Sequence, residues 1–284
     1  MTTGWTLVEP CCGSGALTLH MLGARSSLVP YQGTKWSLRQ NLDAQLVRLG
    51  AWGAPSRVVL SDASWWACVV ATVLRDREAV ARALLPMVVR GESDANALYA
   101  DLQSALVPAD PIERAAVLLW LQRMSYSGKA VGDADDRWIV HGISKTSAYG
   151  IEATERFGAV PPLGRALLKA VNRAPQTQHV ECHRGLAPVV VTGPTVVYLD
   201  PPYAGTQGYP SGGLTREQVA EYAMAWFGEG AHVVVSEAGP VEQLVSHGWR
   251  AERIRGPSRD QGRQTFRRAT HGEEWVTVSP MGEP

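Results

Sequence analysis

The chain has 284 residues, with 27 Lys and Arg against 27 Asp and Glu, so its formal net charge is zero. That length supports one large α/β domain, or one domain with a sizeable insertion, and the balanced charge excludes a surface that is basic throughout while leaving room for a local basic patch. A composition of 45% hydrophobic and 19% charged residues belongs to a globular chain and not to a disordered one.

Trp5–Glu9 predicts a first strand, followed at once by the turn Pro10-Cys11-Cys12-Gly13-Ser14-Gly15 and a helical pattern from Ala16 to about Gly23. Lys35–Leu49 predicts an amphipathic helix with Trp36, Leu38, Leu42, Leu46 and Leu49 near one face. Arg57–Ser61 is a second apolar strand ending in Asp62, and residues 65–107 read as helical. A helix over Pro111–Arg123 leads into SYSGKAVGDADDRW (residues 125–138), whose Gly and Asp content predicts loop. Pro162–Arg173 is again helical. Thr195–Leu199 is a short buried strand that ends in Asp200-Pro201-Pro202-Tyr203, Arg216–Phe227 is a helix, and His232–Ser236 is another buried strand. Arg250–Ile254 and Glu274–Ser279 read as two last strands, paired across an Arg-rich segment. Short apolar strands alternating with helices imply a mostly parallel sheet with helices on both faces. In such sheets ligands bind beyond the carboxyl ends of the strands.

No apolar run approaches the roughly 18–20 residues that cross a bilayer, and MTTGWTLVEP has neither a basic start nor a leader-like stretch. Cys11, Cys12, Cys68 and Cys182 form no CxxC pair, and the seven histidines form no HxH or HxxxH pair, so neither a disulfide framework nor a metal site is expected. A cytoplasmic location is the expectation.

Two segments at predicted strand ends carry chemistry. In Glu9-Pro10-Cys11-Cys12-Gly13-Ser14-Gly15 the glycines allow a sharp turn and a close approach to a ligand; no Gly-Lys-Ser/Thr follows, so it is not a Walker loop. In Asp200-Pro201-Pro202-Tyr203 two prolines stiffen the turn. Asp200 and the Pro201 carbonyl can accept hydrogen bonds from an amino group, and Tyr203 can stack on a planar ring. Those features suit a flipped nucleobase bearing an exocyclic amine.

With these motifs the chain resembles the Dam-type adenine-N6 DNA methyltransferases. EPCCGSGAL resembles their EPFxGxGxx cofactor loop, with Cys11 where Phe is usual, and VVYLDPPYAGTQGY resembles their catalytic segment, including Thr206 and Tyr209. Arg123–Lys129 resembles their central R-x-N-x-x-G-x stretch, and Glu273-Glu274-Trp275-Val276 after the Arg-rich segment resembles their basic loop and terminal strand. The order departs from the family: PYQGTKW (residues 30–36) resembles the P-x-G-G-K element but follows the cofactor loop, where the family places it before. Tyr31 and Lys35 therefore read either as that element displaced or as a helix start after a Gly turn.

The resemblance implies a Rossmann-like S-adenosylmethionine-dependent methyltransferase sheet built from 1–74 and 186–284. Residues 75–185 would form a helical insertion for target recognition. It implies a catalytic set of Asp200, Pro201, Pro202 and Tyr203, and a cofactor pocket of Glu9, Pro10, Cys11, Gly13, Gly15, Tyr31, Lys35, Asp62 and Asp200. Asp62 reads as an acceptor for cofactor hydroxyls or the adenine amine, or as a helix cap; Glu9 reads as a partner for the methionine amino group or as a satisfied strand-end acid. Seven arginines against two acids occupy 250–268. They suit phosphate, or form a solvated hairpin. Arg123, Lys129, Arg255, Arg259, Arg263 and Arg267 are the expected contacts to double-stranded DNA, with no metal or membrane involved. The activity implied is methylation of adenine N6 by base flipping. The alternatives are cytosine N4, an RNA or protein amide, and a catalytically silent DNA-binding homologue.

Overall fold

The computed structural model describes residues 4–29, 35–89, 92–125, 131–140, 164–202, 214–254 and 274–281. Its strands in chain order are β1 (Thr6–Pro10), β2 (Arg57–Asp62), β3 (Gly132–Ala134), β4 (Arg137–Ile139), β5 (Val180–Arg184), β6 (Thr195–Leu199), β7 (His232–Glu237), β8 (Arg250–Ile254) and β9 (Glu274–Val278). Seven of them form one sheet in the order β5-β2-β1-β6-β7-β9-β8. All of its pairings are parallel except those of β9, which runs antiparallel to both β7 and β8. The expected α/β class with a mostly parallel sheet is what the chain adopts.

The helices are α1 (Ala16–Met21), α2 (Arg39–Arg48), α3 (Trp66–Leu84), α4 (Glu92–Ser104), α5 (Pro111–Met124), α6 (Arg165–Asn172), α7 (Arg216–Gly228) and α8 (Glu242–Val245). Alternation along the strands divides the core. Leu7, Val196, Tyr198, Val234, Val276 and Val278 pack with Leu38, Leu42, Leu46 and Leu49, from α2 and the turns at its two ends. Val8, Val59, Val197, Leu199, Val233 and Val235 point the other way, toward Val219, Ala223 and Trp226 of α7. Val58 and Leu60 of β2 share the α2 face but meet α3, which packs in turn on α5.

Four features differ from the sequence reading. The helix expected over 65–107 is interrupted. Asp76 has non-helical dihedrals, and its Oδ1 accepts from Ala79 N at 2.9 Å, so the helix restarts as if from an N-cap. A 3-10 turn at Leu85–Met87, containing Pro86, then ends it. The helix expected from Lys35 opens as a 3-10 turn, Lys35–Leu38, before α2. The expected loop 125–138 contains the β3–β4 hairpin, whose turn residues Asp135 and Asp136 both take left-handed φ, 49° and 57°. That is the two-residue turn usually signalled by Asn-Gly or Asp-Gly, and Asp-Asp hides it. Strand β5 and the short α8 were not expected. Val180–Arg184 is an edge strand paired only to β2, so it lacks the apolar run that marks a central strand. The segment 75–185 thus contributes a strand to the main sheet and most of α3 to its cover.

Candidate active site

Strands β1 and β2 lie to one side and β6 and β7 to the other, so the direction of winding reverses between β1 and β6. The crevice beyond the carboxyl ends of two such strands is where open α/β sheets place ligands. The residues singled out from sequence converge there. Glu9 and Pro10 end β1, Asp62 ends β2, and Asp200 follows β6. Tyr31, Lys129, Tyr203, Arg255, Arg259, Arg263 and Arg267 lie outside the described residues, as do Thr206 and Tyr209.

The loop after β1 is a chain of left-handed residues: Cys11, Gly13 and Gly15 have φ of 56°, 47° and 64°. Cys12 N donates to Ser61 O at 3.0 Å and Gly13 N to Asp62 Oδ2 at 3.0 Å, so the end of β2 holds the loop. Asp62 Oδ1 accepts from Ser64 N at 3.0 Å and Ser64 Oγ at 2.7 Å. This is a turn bridging two residues and not a cap on α3, whose N-cap position is Trp65. Burial raises the Asp62 pKa and these hydrogen bonds oppose the rise. Burial also pushes the Cys11 thiol well up, with the carboxylates of Asp62 and Asp200 adding to it.

Glu9 is buried, and its Oε2 accepts from Thr18 N at 3.0 Å and Thr18 Oγ1 at 2.5 Å. Gly15, at the N-cap of α1, supplies no side chain, so Glu9 provides the acceptor that this helix start requires. Glu9 thus has partners within the chain at the end of β1. Burial raises its pKa to about 7 even so, with the Thr18 bonds pulling it down.

Asp200 is the centre of a charged cluster. Lys35 Nζ lies 3.1 Å from Asp200 Oδ1 and 2.8 Å from Glu274 Oε1. Ser236 Oγ donates to the same Glu274 oxygen at 2.6 Å. The strand pleat explains the meeting: Asp200 follows β6 in phase with Tyr198 and Val196, Ser236 in phase with Val234, and Glu274 in phase with Val276, all on the α2 face. Lys35, at the start of the turn into α2, covers that face. Burial raises the Asp200 pKa to about 7; Lys35 lowers it, and Glu274 and Glu237 push it further up. Its side chain keeps 19% of its surface exposed, against 9% for Lys35.

Glu274, Ser236 and Glu237 were not among the expected site residues. An acid opening an antiparallel strand, and a Ser-Glu pair closing a buried parallel one, were the available signals. Of the expected DNA contacts only Arg123 is described; it is half-buried near the end of α5, where burial lowers its pKa. Among the described residues no group of His, Cys, Asp and Glu forms a metal site, and no helix is long and apolar enough to cross a membrane. Comparison with protein-family models finds no match, and comparison with curated proteins finds none.

Gly15 tests the loop's geometry. A Cβ on it would sit 2.8 Å from Val70 Cγ1 of α3, at a backbone φ of +64°. Val70 is fully buried, so it has little room to yield. Gly15→Ala is expected to destabilise the protein by roughly 2–4 kcal/mol, from left-handed strain and overpacking together. Urea unfolding of the two proteins measures it, and a loss under about 0.5 kcal/mol means that the loop adopts another conformation.

Proposed function

We propose that the chain is an S-adenosylmethionine-dependent methyltransferase acting on the N6 amine of adenine in duplex DNA. The observation that carries the reading is the placement of Asp200. It stands at the switch point of the sheet, beside the glycine loop, with one oxygen held by Lys35 and part of its surface open. The seven-stranded sheet, with antiparallel β9 inserted next to last, supports it as well. It departs from the six-stranded dinucleotide-binding order and is compatible with a Rossmann-like sheet.

The residues present fit this cofactor. Asp62, Asp200 and Glu274 stand at this end of the sheet with Lys35 as the cation among them, and that excess of acids favours a ligand carrying positive charge. Asp62 has a lone pair beyond its loop bonds for ribose hydroxyls, and Gly13 lets the backbone come close to the methionine end, while Gly15 makes room for Val70. Glu9 contributes by fixing α1 and thereby the loop. S-adenosylmethionine, when bound, supplies a methyl group on a sulfonium that is already a good leaving group.

The chain supplies position and charge. Asp200 and the Pro201 carbonyl accept the two hydrogens of the target amine, drawing its lone pair out of ring conjugation and toward the methyl donor. Tyr203 stacks on the extruded base. Lys35 favours the ionised form of Asp200 and fixes its direction. A carboxylate with a pKa near 7 then takes up the proton that the amine gives up on methylation. Most of the barrier lowering arises from positioning and electrostatics.

Incubation with methyl-labelled cofactor and duplex DNA, followed by nucleoside mass spectrometry, tests the assignment. N6-methyladenine is the expected product; N4-methylcytosine, or label in RNA or protein alone, refutes it. The arginine-rich segment gives a second test. Each phosphate contact contributes a slope of about −0.9 in log affinity against log salt. Arg259→Ala combined with Arg263→Ala is expected to flatten that slope by roughly one to two units while leaving cofactor affinity unchanged. An unaltered slope makes this stretch a solvated hairpin.

A further inference from the structure

Helix α3 packs on the sheet beside β2 and β5, and in sequence α4, α5, the β3–β4 hairpin and α6 all lie between α3 and β5. Where α3 meets β5 stand two cysteines with no part in the chemistry above. Cys68 of α3 and Cys182 of β5 are 114 apart in sequence, yet their sulfurs are 3.0 Å apart and share a hydrogen bond. Both side chains are half-buried, which leaves a path for a small reagent. Arg75 donates to Val180 O at 2.5 Å on the same edge strand, and the Arg114 guanidinium lies 3.8 Å from the Trp65 ring centre, at the start of α3.

We propose that Cys68 and Cys182 are a reversible redox pair, which a small hydroperoxide converts into a disulfide that staples the base of the inserted segment. Forming the bond takes the sulfurs from 3.0 Å to about 2.05 Å, a shift within the reach of side-chain rotation. Two effects lower the Cys182 thiol against its burial: the hydrogen bond it shares with Cys68, and then the positive charges of Arg75 and Arg114. The thiolate, not the thiol, is the nucleophile. Cys182 attacks one peroxide oxygen, the O–O bond breaks, and the departing oxygen takes a proton to leave as water. Cys182 is then a sulfenic acid. Cys68 attacks that sulfur, loses its proton, and the hydroxyl leaves as a second water. Two thiols and one hydrogen peroxide thus give one disulfide and two waters. Cys11 and Cys12 are internal controls, because burial pushes both of those thiols up.

The test treats the purified full chain with a small excess of hydrogen peroxide, removes the peroxide, unfolds and alkylates the chain without reduction, and maps its peptides. The expected result is a linked Cys68–Cys182 peptide lighter by two hydrogens, reversed by dithiothreitol, with Cys11 and Cys12 alkylated. Because the link closes so long a loop, it restricts the unfolded chain. The oxidised protein is therefore expected to melt at a higher temperature than the reduced one. Cys68→Ser should remove both the link and the shift and leave Cys182 as a sulfenic acid trapped by dimedone. Free alkylation of both cysteines in the treated wild type, or links joining either of them to Cys11 or Cys12, overturns the proposal. The readout needs only folded wild-type chain and stands apart from any methyltransferase activity.

Discussion

Asp200→Ala is expected to lose methyl transfer by at least about a hundredfold, roughly 3 kcal/mol or more in the barrier, while binding S-adenosylmethionine nearly as tightly as the wild type. The reason is local. On the proposed function Asp200 is the acceptor for the target amine, and its charge-assisted bond counts most where the amine's hydrogens grow more acidic, in the transition state. The fold should tolerate the change, because Lys35 keeps Glu274 at 2.8 Å and is not left as a lone buried cation. Single-turnover transfer from labelled cofactor and calorimetric titration of the cofactor separate the two effects. Turnover like that of the wild type removes the proposed mechanism.

Lys35→Met is expected to act on both stability and pH dependence. It deletes the cation shared by Asp200 and Glu274, and breaking a buried pair from one side costs about 3–5 kcal/mol. The pH effect has a definite sign. With Lys35 present, Asp200 already titrates near 7, above the usual 3.8, and Lys35 is the largest influence holding it down. Without it the pKa rises further. On the proposed function ionised Asp200 is the working form, so the acid limb of the kcat/KM profile is expected to move to higher pH. Stability follows the same logic. A carboxyl whose folded pKa exceeds its unfolded value contributes fully below about 3.8 and loses that contribution as pH climbs through 7. The variant should therefore be handicapped least at acid pH and most under alkaline conditions. A profile superimposable on the wild type means that Lys35 does not set the ionisation of Asp200.

The central strands were legible in the sequence, and of the two edge strands β8 was read and β5 was not. Thr195–Leu199 is buried at every position, so an unbroken apolar run announces both the strand and the carboxylate that follows it. Val180–Arg184 lies at the sheet edge with only Val180 buried, and its composition carries no such signal. The glycine loop and Asp200 could be found because each follows its strand directly. The Lys35–Asp200–Glu274 cluster could not, since it depends on strand order and on β9 running against its neighbours. Neither property is written in local periodicity. Position along the chain left two readings for Lys35, and its 3.1 Å approach to Asp200 brings it to the site.

Strand β9 lies between β7 and β8 and begins with Glu274, immediately after the arginine-rich stretch. A deletion that ends the protein at Ile254 would therefore do more than remove a basic tail. It would strip β7 and β8 of their shared neighbour, expose two unpaired edges to other chains, and take away one of the two acids that hold Lys35. The arginine-rich stretch and the ion-pair cluster around Asp200 thus meet in sequence at residue 274. Point substitutions in the arginines can separate the two, and truncation cannot.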